Sequence, residues 1–137
     1  MWIRKGVRLL EEEPGNGVPV ERQHYYLMAM RMTLNRGEIV RRPQQCLSHQ
    51  MDERCKTEDD GFFLHHVRID RENLVGGVFY AVQGMHVGGY RKVTISPHLA
   101  YWETGIADLI PPNAKLTVEI KVLERVKKRW KGGAQVK

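Results

Sequence analysis
From Tyr26 to Leu34 the chain alternates in steps of two. Tyr26, Met28, Met30, Met32 and Leu34 fall on one side, and Leu27, Ala29, Arg31 and Thr33 on the other, which is the period of a β-strand. Asn35-Arg36-Gly37 then reads as a turn, and Ile39-Val40 begins a returning strand. Val93 and Ile95 alternate with Lys92 and Thr94. Leu116, Val118, Ile120 and Val122 alternate with Lys115, Thr117, Glu119 and Lys121. Such patterns predict antiparallel strands with one buried and one solvated face. Near the N-terminus Val7 and Leu9 suggest a further short strand, closed by Pro14-Gly15-Asn16-Gly17. The central part of the chain offers one helix, about Gly76 to Gln83, with Val78, Tyr80, Ala81 and Val82 turned inward. The fold class expected is α+β: a curved antiparallel sheet of about five to six strands wrapped on one short helix.

Residues 41–61, RRPQQCLSHQMDERCKTEDDG, break the pattern. The stretch is polar, carries both signs of charge, and is long for a loop within a compact domain. It reads as an insertion in a single domain spanning 1–123. Its cysteines allow three states. Cys46 and His49 are spaced C-x-x-H, and Cys55, His65 and His66 could complete a zinc site; the two thiols could form a disulfide; or they are free thiols in a surface loop. Free thiols are the reading adopted, because tight metal motifs pair two C-x-x-C units and this one does not.

Composition narrows the class. A chain of 137 residues with 42% apolar content is sized for one domain with a real core. No stretch approaches the roughly 20 apolar residues that a membrane span needs. The N-terminus lacks the apolar run and small-residue cleavage site of a signal peptide, so the expected setting is cytoplasmic. Most of the net charge of +6 lies in a basic tail at 124–137, where Arg125, Lys127, Lys128, Arg129, Lys131 and Lys137 face Glu124 alone. No aromatic interleaving beyond Trp130 and no recognition helix accompanies that tail, so nucleic acid is not an expected partner.

The forty residues from Gly84 to Leu123 carry the functional signal. Gly84-Met85-x-Val87-Gly88-Gly89-x-Arg91 precedes a strand. Ile95-Ser96-Pro97 and Leu99-Ala100-Tyr101 follow it, and Ile110-Pro111-Pro112-Asn113-Ala114-x-Leu116 leads into the last strand. This spaced set of Gly, Pro and Tyr resembles the C-terminal half of the FKBP-type peptidyl-prolyl cis-trans isomerases. Pro14-Gly15-Asn16-Gly17 and Leu34-x-x-Gly37 fall where that family has comparable turns.

The resemblance implies rotation about X-Pro bonds of proline-containing proteins or peptides. That rotation must cross a barrier of roughly 20 kcal/mol, because twisting the amide sacrifices its resonance. No cofactor, metal or acid–base pair is required. A site need only bind the twisted amide better than either planar form. By the resemblance, the catalytic donors are the Tyr101 hydroxyl and the backbone N–H of Val75, which follows Leu74 as the family's pair does. Ile110, beside Leu109, takes an apolar wall position. The family's aromatic positions fall instead at Met30, Val40, Val78 (the floor, where the family has Trp), Val118 and His65, and its pocket Asp falls at Arg41. Trp102, where the family usually has Gly, either fills the cleft from above, blocks it, or lies exposed as a contact for a partner.

A cleft of Met and Val is still apolar but less shaped. Losing a Trp floor removes area worth a few kcal/mol at about 25 cal/mol/Å², and 1.4 kcal/mol lost in the transition state is about tenfold in rate. The expectation is therefore a prolyl isomerase of reduced activity. The alternative is a non-catalytic binding module of the same fold, using the altered cleft and the long insertion.

Overall fold
The structure, a computed structural model, describes residues 2–34, 37–39, 62–71, 74, 76–97 and 115–126. Among these residues there are six strands and one short helix. The strands are β1 (Trp2–Arg4), β2 (Val7–Glu13), β3 (Tyr25–Leu34), β4 (Phe63–Arg68), β5 (Tyr90–Ile95) and β6 (Leu116–Val126), and the helix is α1 (Gly76–Ala81). They form one antiparallel sheet in the order β1-β2-β5-β6-β3-β4. The expected fold class is observed.

Alternation sets the faces. Tyr26, Met28, Met30 and Met32 of β3, Val93 and Ile95 of β5, and Leu116, Val118, Ile120 and Val122 of β6 are all buried, and α1 packs over them with Val78 and Ala81. The methionines are core packing, where an unbranched thioether fills irregular gaps. Tyr26 is fully buried with its hydroxyl satisfied: it accepts from the Glu21 amide at 2.9 Å and donates to the Pro19 carbonyl at 3.3 Å.

The outer face is built from cross-strand pairs. Glu11, Lys92, Glu119 and Arg31 stand side by side on β2, β5, β6 and β3, alternating in sign. Lys92 meets Glu11 at 3.7 Å and Arg31 meets Glu119 at 2.7 Å. Thr94, Thr117 and Thr33 form the next row. Opposite charges and threonines placed in this way each support a sheet by a few tenths to about 1 kcal/mol.

Register shifts occur in three ladders, one of them between Trp2 and Arg4 on β1. Leu10 is the extra residue where β2 slips against β5, and Leu123 where β6 slips against β3. Both are exposed, at 44% and 42%, as residues squeezed out of a ladder tend to be.

The turn motifs explain one another. Gly17 donates its amide to the Val87 carbonyl, Val87 donates to Val18, and Val20 donates to Met85. A Cβ on Gly15 would lie 2.4 Å from both the Gly89 nitrogen and the Val87 oxygen, so only glycine permits this approach of backbone to backbone. The Pro14–Gly17 turn and the Gly84–Gly89 segment, far apart in sequence, are two sides of one seam.

Two expectations need correction, and others can be followed only in part. Tyr80 is half-buried, and Phe79 is the residue of that pair in the core; the Tyr80 ring instead carries the Arg4 guanidinium at 3.8 Å, a contact that keeps it near the surface. β6 continues to Val126, pairing Glu124, Arg125 and Val126 with Leu27, Tyr26 and Tyr25, so these three residues belong to the sheet and not to a tail. After the turn at Gly37 only a single bridge, Thr33 to Ile39, is seen, and Val40 lies outside the described residues. β1 and β4 had no clear alternation: β1 is three residues long, and β4 places histidines in its middle. The insertion at 41–61, with Cys46, His49 and Cys55, lies outside the described residues. His66, named above as a possible metal ligand, is buried against Tyr25, with ring centroids 6.2 Å apart and nearly parallel.

Candidate functional site
Four of the expected pocket residues can be placed. Met30 lies on β3 opposite Ile120, Val118 on β6 between Val93 and Met32, Val78 on α1, and Leu74 just before α1. All four belong to one hydrophobic cluster, and none presents any surface to solvent. The structure thus gathers Met30, Val78, Val118 and Leu74 between sheet and helix, as floor and wall residues would be. A substrate ring reaching them would have to displace what packs on them. Tyr101, Val75, Val40, Trp102, Leu109, Ile110 and Arg41 lie outside the described residues; His65 is described only through its backbone, paired with Met28 on β4.

The helix α1 is short and depends on its mountings. Six residues make too few hydrogen bonds for a helix to hold alone in water. At its start Gly77 lies against β5: a Cβ there would meet the Ile95 Cγ2 methyl at 2.2 Å and Cδ1 at 2.8 Å. At its end Gly84, with φ at +82°, turns the chain in the left-handed conformation common after a helix. The orphan carbonyls there are met by Arg91. Its Nη1 donates to the Ala81 carbonyl at 2.8 Å and the Gln83 carbonyl at 2.6 Å, while its Nε donates to the Glu12 carboxylate at 2.8 Å. The sequence motif contained Arg91, but nothing in its spacing revealed this role.

A cavity of about 580 Å³ opens on the opposite, outer face, lined in part by Arg31, Phe62, Tyr90, Glu119 and Lys121. Of the described pocket residues, Met30, Leu74, Val78 and Val118, none lines it. Phe62 lies between the Arg31 guanidinium at 4.4 Å and the Lys121 ammonium at 4.3 Å. Tyr90 donates to Glu119 Oε2 at 2.9 Å. Burial first, then the hydrogen bond to Glu119 and that carboxylate's charge, push the Tyr90 hydroxyl well above its ordinary pKa, so it stays a proton donor across the neutral range. These contacts tie β3, β5 and β6 together from behind the core.

A six-stranded antiparallel sheet curled over one short helix, with apolar residues of both enclosed between them, defines a half-barrel of the prolyl isomerase type. Comparison with known proteins agrees. The model of the FKBP-type peptidyl-prolyl cis-trans isomerase family matches residues 54–123, just over half of the chain. The chain belongs to that family. It is 43% identical over 54 residues to the chloroplastic peptidyl-prolyl cis-trans isomerase FKBP16-4 of Arabidopsis thaliana, which covers 39% of this chain and 23% of that one. It is 41% identical over 58 residues to FK506-binding protein 4 of Chaetomium thermophilum, covering 42% of this chain and 12% of that one. The match thus spans about a quarter or less of these relatives. In three dimensions it is similar to a peptidyl-prolyl cis-trans isomerase from Pseudomonas syringae (TM-score 0.62, 22% identity, 88% of this chain and 74% of that one). It is also similar to FkpA from Escherichia coli (TM-score 0.63, 20% identity, 88% of this chain and 47% of that one).

Proposed function
We propose that this chain accelerates cis–trans rotation about exposed X-Pro bonds of partner proteins, at a lower rate than an aromatic-lined relative would reach. The observation that carries the reading is the aliphatic character of the enclosed site: Met30, Val78 and Val118 stand where the resemblance places aromatic walls and floor. Tyr101 and the Val75 amide are the donors that would hold the carbonyls flanking the proline. An apolar enclosure favours the twisted amide, which is less charge-separated than the planar one, and requires no proton transfer. Assistance to folding and a cytoplasmic setting belong to the same proposal; fractionation of cells expressing the chain tests the latter.

A second reading rests on a specific observation. With aliphatic Met30, Val78 and Val118 where the resemblance places aromatics, the altered cleft and the long insertion at 41–61 suit a fold kept for holding a partner rather than for turnover. The two separate on peptides with a single X-Pro bond. The first expects isomerisation faster than the uncatalysed rate and a several-fold lower kcat/KM for Tyr101→Phe at unchanged Tm. Binding of the peptide without acceleration would leave the binding module, and neither binding nor acceleration would overturn both.

A further inference from the structure
We propose that Arg91 is the positioning residue of the isomerase site, holding the C-terminal end of α1 and with it the height of Val78 in the floor. The proposal rests on the reading of Val78 as the floor given above.

Three observations converge on this guanidinium. Arg91 lies opposite Ile120 on β6, so it leaves the sheet on the core side, where a charge is expensive unless it is fully engaged. It is engaged: two bonds reach the carbonyls of Ala81 and Gln83, and a third reaches Glu12. The side chain is only 11% exposed. Its target is the end of a six-residue helix where Val82 and Gln83 meet the carbonyls of Val78, Phe79 and Tyr80 and Arg91 meets that of Ala81, and a cation there also complements the helix dipole.

Glu12 is placed for this by the Leu10 bulge. In the register Val7–Ile95 and Leu9–Val93, odd-numbered residues of β2 face α1. After the extra residue the pairs become Glu11–Lys92 and Glu12–Arg91, so the even-numbered Glu12 now stands beside Arg91 on the helix side. Bulge, carboxylate and guanidinium form one strut between β2, β5 and the helix end. The other end of α1 is fixed by the contact of Gly77 with Ile95. With the strut removed, the helix keeps one mounting and pivots about it, and Val78, next to that pivot and facing the core, tilts.

Two measurements on the intact chain, well below its Tm, test this. Arg91→Met keeps the apolar stem and removes every donor, and is expected to lower kcat/KM on a proline peptide about tenfold. Arg91→Lys, which keeps the charge and fewer bonds, is expected to recover part of that loss. Glu12→Gln, which leaves the carbonyl bonds in place, is expected to lower it about threefold. Amide hydrogen exchange is expected to quicken at Val82 and Met85, whose N–H groups donate to Val78 and Val82, while amides of β5 and β6 stay protected as in the parent. An active parent with Arg91→Met within twofold of it overturns the proposal. So does exchange that quickens equally over the whole sheet, which is loss of stability and not of position. Should Arg91→Met fail to fold, Arg91→Lys and Glu12→Gln decide, and both within twofold of the parent overturns it. A parent that does not accelerate isomerisation overturns the site reading, and this proposal with it, in a way the variants alone would not.

Discussion
Replacing Gly77 with alanine tests the packing of the floor helix most directly. In an exposed helix this change would help, since alanine is favoured over glycine by about 1 kcal/mol. Here the new methyl would lie 2.2 Å from Ile95 Cγ2, against an ordinary van der Waals contact of 3.4–4 Å. The shortfall exceeds 1 Å, and Cγ2 is a branch methyl fixed to Cβ that no simple rotation carries away. The helix must therefore lift from β5 by about that distance, and overpacking of this kind costs roughly 1–3 kcal/mol. Set against the propensity gain, Gly77→Ala is expected to lose up to about 2 kcal/mol, and with it several degrees of Tm. Urea unfolding followed by far-UV circular dichroism measures it. The decisive comparison is a double-mutant cycle with Ile95→Ala. That change alone is expected to cost about 2–5 kcal/mol, because Ile95 is fully buried. In its background the clash is gone, and Gly77→Ala should turn neutral or stabilising. A loss of the same size in both backgrounds would refute the contact as its cause, and a gain in the parent would refute the packing described here.

Gly15→Ala is expected to cost more, about 3 kcal/mol or loss of folding, because its methyl meets backbone atoms of Val87, Gly88 and Gly89 that cannot turn aside; soluble yield and Tm report it. Met30→Ala is expected to lose about 3 kcal/mol by urea unfolding, as removal of a fully buried side chain leaves a cavity. The raised Tyr90 pKa means the folded chain binds this proton more tightly than the unfolded one. Its contribution is therefore fully present below about pH 10, the ordinary tyrosine value, and is lost as pH rises beyond it toward the folded-state value. Tyr90→Phe should be less stable than the parent at neutral pH, and the gap should narrow above pH 10. A gap independent of pH between 8 and 11 would show that neither burial nor Glu119 raises the phenol's pKa.

The three core strands were legible because each has one face in the core and one in water, which writes a period of two into the sequence. β6 did so over Leu116–Val122, yet its last residues lost the signal. Past the Leu123 bulge the burial alternation stops while pairing with β3 continues. β1 is too short to show a period, and β4 carries His66 at a buried position. The helix was found from its small and apolar residues, but Phe79 was not singled out for the core, and Tyr80 packs on it only in part, with the Arg4 guanidinium over its ring at 3.8 Å. Of the site, Met30, Leu74, Val78 and Val118 were placed through family resemblance and found together in the core. The Arg91 strut escaped notice because its three partners, Glu12, Ala81 and Gln83, meet only once the sheet has formed.

The strand order carries a consequence for how the chain is made. β6 lies between β5 and β3, so without it the sheet falls into two pieces, β1-β2-β5 and β3-β4, with no ladder joining them. The central strand is also the last of the six to leave the ribosome. Until it emerges, β3 and β5 each have one edge unpaired, and long-range pairing of this kind closes slowly. Folding of the sheet is thus deferred until β6 has been made, and for that interval a family known for acting on other chains leaves this one most in need of shelter.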